Sequence, residues 1–242
     1  MMTTMRPSNL LALLVFIFFA MGQQTTEAED PHLTPIFPFD PDGYDQAVFQ
    51  SLVGDRNPSL WMIARPSFDV EYAVLVFAVP IQNGEPDPFG GGGRGVTGYD
   101  WVIEAAEVTR KIYQHKDIGD GSLVLDIKVT KDISRLRAGI PKDLGEQIRS
   151  AWNSVLNETR YISDNRNSGL DGITVQFGTQ SKAGETWSPE SGAPGLLFQL
   201  GQSLIELVSA QKNDRERQIQ ACSTLADKIV ATRPKPEQGG AR

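Results

Sequence analysis

Asp171, Glu185 and Trp187 are the residues whose types and spacing could carry chemistry in this 242-residue chain. They stand in the stretch Gly169–Leu200, GLDGITVQFGTQSKAGETWSPESGAPGLLFQL. Two carboxylates held a defined distance apart can divide the acid and base roles of a hydrolysis. An indole ring beside them could serve as a stacking platform for a ligand. Each residue also has an architectural reading. Asp171 opens an Asp-Gly turn, Glu185 is an ordinary loop acid, and Trp187 before Ser188-Pro189 fits a packed corner. The three are therefore candidate binding residues, and no catalytic residue is assigned.

Other chemistries fail on spacing. The chain has no Gly-x-Ser-x-Gly elbow, no His-Glu-x-x-His and no Cys/His metal pattern. His32 and His115 each lack a second ligand type at metal-site spacing, so no metal is expected, and a Ser-His-Asp arrangement would rest on His115 alone. In Phe89-Gly-Gly-Gly-Gly-Arg94-Gly95, Gly90 and Gly95 have the spacing of a phosphate loop, but Val96 stands where the lysine belongs. That run reads as a glycine-rich hairpin connection, and no cofactor is expected. The single cysteine, Cys222, rules out an internal disulfide and falls on an apolar stripe, which suits a small buried hydrophobe better than a reactive thiol. Asn157-Glu-Thr159 is a formal N-glycosylation acceptor near a helix end.

Charge and targeting bound the class of partner. The formal net charge is −7. An acidic balance argues against non-specific nucleic-acid binding and against a polybasic membrane-surface role. Arg6 precedes the apolar run Leu10–Ala20, which is too short to span a bilayer and the right size for a signal-peptide core. Ala20-Met21-Gly22 places small residues for cleavage before Gln23. Residues 1–22 thus read as a signal peptide, which predicts a periplasmic or secreted chain with no membrane span after cleavage.

The elements that must position the candidates follow in order. Residues 23–58 read as a leader, because Pro31, Pro35, Pro38 and Pro41 favour extended backbone. A single domain is expected over 59–232, with a disordered tail over 233–242. Val70–Val79 is apolar on both alternating sets, which predicts a central strand covered on both faces. Trp101–Ile112 fits either a helix or a strand, and the Gly119-Asp-Gly121 turn favours a strand pairing with Ser122–Val129 across it. Asp143 and Glu146 have capping-box spacing, followed by the stripe Leu144, Ile148, Trp152 and Val155. Ile173, Val175 and Phe177 share one face of a strand. A helix with Pro194 in its first turn carries Leu197, Leu200, Leu204 and Leu207, and a further helix, capped by Asp214, carries Ile219, Cys222, Leu225 and Ile229. The expected fold is α+β, a mainly antiparallel sheet packed on one face by two or three helices.

The order of a Trp-bearing amphipathic helix, Arg160-Tyr161, Gly169-Leu-Asp-Gly-x-Thr-x-x-Phe177, Gly184-x-Thr-Trp-Ser-Pro189-x-x-Gly192 and a Leu-rich helix resembles a group of small uncharacterised bacterial proteins. The resemblance implies one helix–hairpin–helix unit over residues 141–210 and brings no activity with it. Together these readings point to an exported, non-catalytic protein that binds another protein or an envelope component. The alternative is a carboxylate-dependent hydrolase built on Asp171 and Glu185 with Trp187 as platform.

Overall fold

Alternation of side chains along extended backbone determines how this chain buries its apolar residues. A computed structural model describes residues 32–36, 43–86, 94–117, 119, 123–160 and 171–232. The elements are α1 (Tyr44–Leu52), β1 (Leu60–Pro66), β2 (Tyr72–Pro86), β3 (Arg94–Val108), β4 (Tyr113–Asp117), β5 (Leu123–Ile127) and β6 (Ile133–Ile140). They are followed by α2 (Lys142–Leu156), β7 (Ile173–Thr179), β8 (Ala183–Trp187), α3 (Gly192–Ser209) and α4 (Arg215–Ala231). Six strands form one antiparallel sheet in the order β6-β3-β2-β1-β7-β8, and β4 and β5 pair separately. The fold is α+β.

Successive residues of a strand point to opposite faces. On one face Leu60, Met62, Val74, Val76, Trp101, Ile103, Val175 and Phe177 meet the stripes of α2, α3 and α4. On the other, Trp61, Ile63, Ala73, Leu75, Ala106 and Val108 meet Ala47, Val48 and Leu52 of α1. The two-sided apolar pattern of Val70–Val79 is explained by this double burial, since Ala73, Val74, Leu75 and Val76 are all fully buried. Ile148, Trp152, Leu197, Leu200, Leu204 and Cys222 are fully buried too, so the helical stripes face the core as their spacing predicts.

Several expectations are corrected. The sheet is covered on both faces, because α1 forms within the 23–58 segment that reads as a leader. The closely spaced prolines stop at Pro41, and Gly43, at φ 69, turns the chain into the helix. The same segment closes a sheet edge: Thr34 bridges Glu185 of β8 through a pair of backbone hydrogen bonds of 2.9 and 2.7 Å. Residues 101–108 are strand, but their partners are β2 and β6, while the pairing across the Gly119 turn belongs to β4 and β5. Apolar residues on both faces of β3 require an interior place in the sheet, which a hairpin at its margin would not supply. No capping box forms at α2, whose N-cap is Pro141 with no side-chain hydrogen bond, and Asp143 sits in the first turn near the positive helix end. Ser191 and Asp214 hold the N-cap positions of α3 and α4 without side-chain bonds. The signal-peptide segment, the glycine run 90–93 and the tail 233–242 lie outside the described residues.

Candidate binding site

The registers of three neighbouring strands place Arg65, Thr174 and Trp187 in one row. Arg65 of β1 pairs with Thr174 of β7, and Thr174 pairs with Trp187 of β8. Direct cross-strand partners share a face, so all three project towards the α1 side. Tyr44 at the start of α1 and Tyr113 at the start of β4 close over the row, with Pro66 and Ser67 completing the wall of a cavity of about 310 Å³.

A polar network holds the walls. Arg65 forms ion pairs with Asp45 and, at 3.7 Å, with Glu185, and its guanidinium lies 5.9 Å from the centre of the Tyr44 ring. Gln176 Nε2 donates to Asp45 Oδ2 at 3.4 Å and to Glu185 Oε2 at 3.3 Å. Below the aromatic residues, the fully buried Glu71 accepts from the Tyr44 hydroxyl at 2.5 Å and from the Ile112 amide at 3.2 Å. Burial first, then the bond to Glu71 and its charge, push the Tyr44 phenol far above its ordinary range, so it stays a proton donor. Tyr113 meets Tyr44 edge-on, with ring centres 5.2 Å apart. Both Lys111 Nζ, at 2.7 Å, and the Tyr113 hydroxyl, at 3.2 Å, donate to the Ser67 carbonyl.

Gly172 is what lets Trp187 sit where it does. A Cβ at position 172 would come within 2.4 Å of the indole Cζ2, so only a bare backbone fits beneath the ring. Ser67 clasps that glycine, donating from its amide to the Gly172 carbonyl at 2.9 Å and accepting from the Gly172 amide on its hydroxyl at 3.3 Å. After Trp187 the chain turns sharply at Ser188, whose φ of 40 is the one left-handed non-glycine value among the described residues. Its amide donates to the Ile173 carbonyl at 2.8 Å and its hydroxyl accepts from the Ile173 amide at 3.3 Å, which fixes the turn.

Of the three residues singled out by sequence, Trp187 lines the cavity and Glu185 supports it through Arg65. Asp171 is exposed in the bend before β7 and takes no part. Glu185 pairs with Gln176, five residues further along the strand direction than Asp171, a span of roughly 16 Å at about 3.3 Å per residue. Their carboxylates therefore do not converge on one bond. Tyr44, Asp45, Arg65, Tyr113, Thr174 and Gln176 carry no motif. The signal that could have marked one of them is Arg65, a lone charge at the end of the apolar strand Leu60–Ala64.

Other features lie outside the lining of this cleft. A second concavity of about 290 Å³ on the helix face is lined by Tyr72, Ala105, Leu136, Gln202 and Ile205, with Gln202 Nε2 donating to the Tyr72 hydroxyl at 2.6 Å. Cys222 is buried, and burial pushes its thiol up to about 12. Asn157 is exposed past the end of α2 and accepts from Lys182 Nζ at 2.5 Å. No group of three or more His, Cys, Asp or Glu among the described residues could hold a metal ion, and no described helix is long and apolar enough to cross a membrane. Comparisons of the chain with protein-family models, with curated proteins and with solved structures gave no match.

Proposed function

We propose that this chain is an exported, non-catalytic binding protein of the cell envelope or secreted space, and that the cleft between Tyr44, Tyr113 and Trp187 is its binding site. The observation that supports it is the row Arg65–Thr174–Trp187, aligned by strand register and walled by two tyrosines. Its polar supports are fixed in advance: Asp45 and Glu185 are engaged with Arg65 and Gln176, and the Tyr44 and Tyr113 hydroxyls are engaged with Glu71 and Ser67. A prearranged aromatic wall with its acids already committed suits recognition better than proton transfer.

The test is capture from an extract of the native host with the full chain, tagged at its C-terminus. A species retained by the wild type and by Asp171→Asn, but lost by a folded Trp187→Ala variant, supports binding at this cleft. Retention that Trp187→Ala leaves intact moves the site elsewhere. Export is read separately by N-terminal sequencing of the protein recovered from the host: a start at Gln23 supports it, and an intact Met1 in the cytoplasmic fraction refutes it.

A further inference from the structure

What the cleft can accept follows from what its walls have already engaged, and the argument rests on the reading of this cleft as the binding site. We propose that its ligand is a neutral saccharide, with one sugar ring laid against Trp187 and its hydroxyls met by Thr174, Arg65 and the indole N–H.

An anionic ligand is disfavoured by charge. Arg65 is the one cation lining the cavity among the described residues, and it is already paired with both Asp45 and Glu185. A carboxylate or phosphate brought to that guanidinium would meet two carboxylates in the same network. A cationic ligand is disfavoured by prior occupancy. Arg65 lies 5.9 Å from the Tyr44 ring centre and Lys111 Nζ lies 5.2 Å from that of Tyr113, so both tyrosine rings already hold a cation, and a second one brought to Trp187 would meet the positive charge of Arg65 in the same cavity. A wholly apolar ligand would bury the Thr174 hydroxyl without giving it a partner.

Neutral polar groups on a ring with an apolar face satisfy what remains. Thr174 and Trp187 line the cavity, and among the described residues neither the Thr174 hydroxyl nor the Trp187 indole N–H makes a hydrogen bond. Sugar hydroxyls both donate and accept, so they can serve a hydroxyl, an indole N–H and a guanidinium together. The C–H face of a pyranose is the apolar surface an indole takes. A cavity of about 310 Å³ is at the small end of ligand sites. That size fits a monosaccharide or the terminal ring of a longer glycan.

Trp187 supplies its own readout, because Trp61, Trp101 and Trp152 are 8%, 1% and 0% exposed. Intrinsic fluorescence is followed on titration with glucose, galactose, N-acetylglucosamine and cellobiose, and separately with glucuronate, inorganic phosphate and choline. The expected result is a saturable change with at least one neutral sugar. It should vanish in Trp187→Ala, weaken at least tenfold in Thr174→Val, and persist in Asp171→Asn. Isothermal titration of Trp187→Phe, which keeps an aromatic ring without the indole N–H, should show weakened but measurable affinity. A response to glucuronate, phosphate or choline alone overturns the saccharide while leaving the cleft as a site. So does silence towards every probe when host capture depends on Trp187. Silence together with failed capture overturns both readings.

Discussion

The Tyr44 hydroxyl donates a 2.5 Å hydrogen bond to Oε1 of Glu71, a carboxylate with no exposed surface. Oε2 of the same carboxylate accepts from the Ile112 amide at 3.2 Å. One buried acid therefore ties the first residue of α1 to the start of β2 and to the link between β3 and β4. Those are the elements that carry Tyr44 and Tyr113 over the cleft. Tyr44→Phe removes one donor from a buried carboxylate and is expected to destabilise the fold by about 2 kcal/mol. Glu71→Ala strands the tyrosine hydroxyl and the Ile112 amide together and should cost about 3 kcal/mol. Urea unfolding measures both, and a Tyr44→Phe midpoint equal to wild type would show that the bond adds no net stability.

Gly145 stands inside α2, where alanine would ordinarily gain about 1 kcal/mol. Here a Cβ would come within 2.2 Å of Trp101 Cγ, and Trp101 is 1% exposed with no room to withdraw. Gly145→Ala is therefore expected to lose about 2 kcal/mol through overpacking. Gly201→Ala in α3 meets Met62 Sδ at 2.3 Å, and an unbranched thioether adjusts more readily than an indole. It should lose less. Denaturation curves of the two variants check the ranking, which the reverse order would refute.

Glu104 accepts from Arg56 Nη1 and from Arg135 Nη1, each at 2.7 Å. The same guanidiniums donate to the carbonyls at the end of α1, Arg56 to Leu52 and Val53 and Arg135 to Ser51 and Leu52. The acid thus anchors two cations that satisfy a helix C-terminus. The arginine side chains are 32% and 27% exposed, so water tempers the loss when the acid is removed. Glu104→Gln should cost about 2 kcal/mol, below the value for a fully buried pair. Hydrogen exchange at the Val53 amide should quicken with it, and unchanged exchange there would refute the anchoring role.

Alkaline pH should weaken the fold through Cys222 and Tyr44. Burial raises the Cys222 thiol from an ordinary 9.0 to about 12, and raises Tyr44 from an ordinary 10.0. The unfolded chain releases these protons first, so the stabilisation is complete below pH 9 and declines from there towards pH 12. Cys222→Ala should remove part of that slope. Urea midpoints at pH 8, 9, 10 and 11 test the point, and an identical slope in the variant would exclude the thiol as a source.

Elements with a strong period were legible in the sequence. The stripe of α2 through Leu144, Ile148, Trp152 and Val155 is read directly from spacing, as is the two-sided burial of β2. Helix α1 was hidden because the proline run ahead of it dominates the local signal, and its apolar side holds only Ala47, Val48 and Leu52 as buried hydrophobes. The partners of β3 were hidden because strand pairing is a long-range choice, which a nearby Gly-Asp-Gly turn does not decide.

The site divides in the same way. Sequence by itself determined that Trp187 stands where the hairpin closes and that Cys222 lies on a core stripe, because each depends on local pattern. Glu185, read there as a loop acid, is instead a residue of β8, two positions before Trp187 on the same face. Only the tertiary structure decided that Arg65 stands beside Thr174, that Tyr44 and Tyr113 close over them, and that Asp171 is left outside. Those placements depend on the register between β1 and β7, whose residues are more than a hundred positions apart. Register is set by which apolar faces must be buried together, and no short stretch of the chain contains that information.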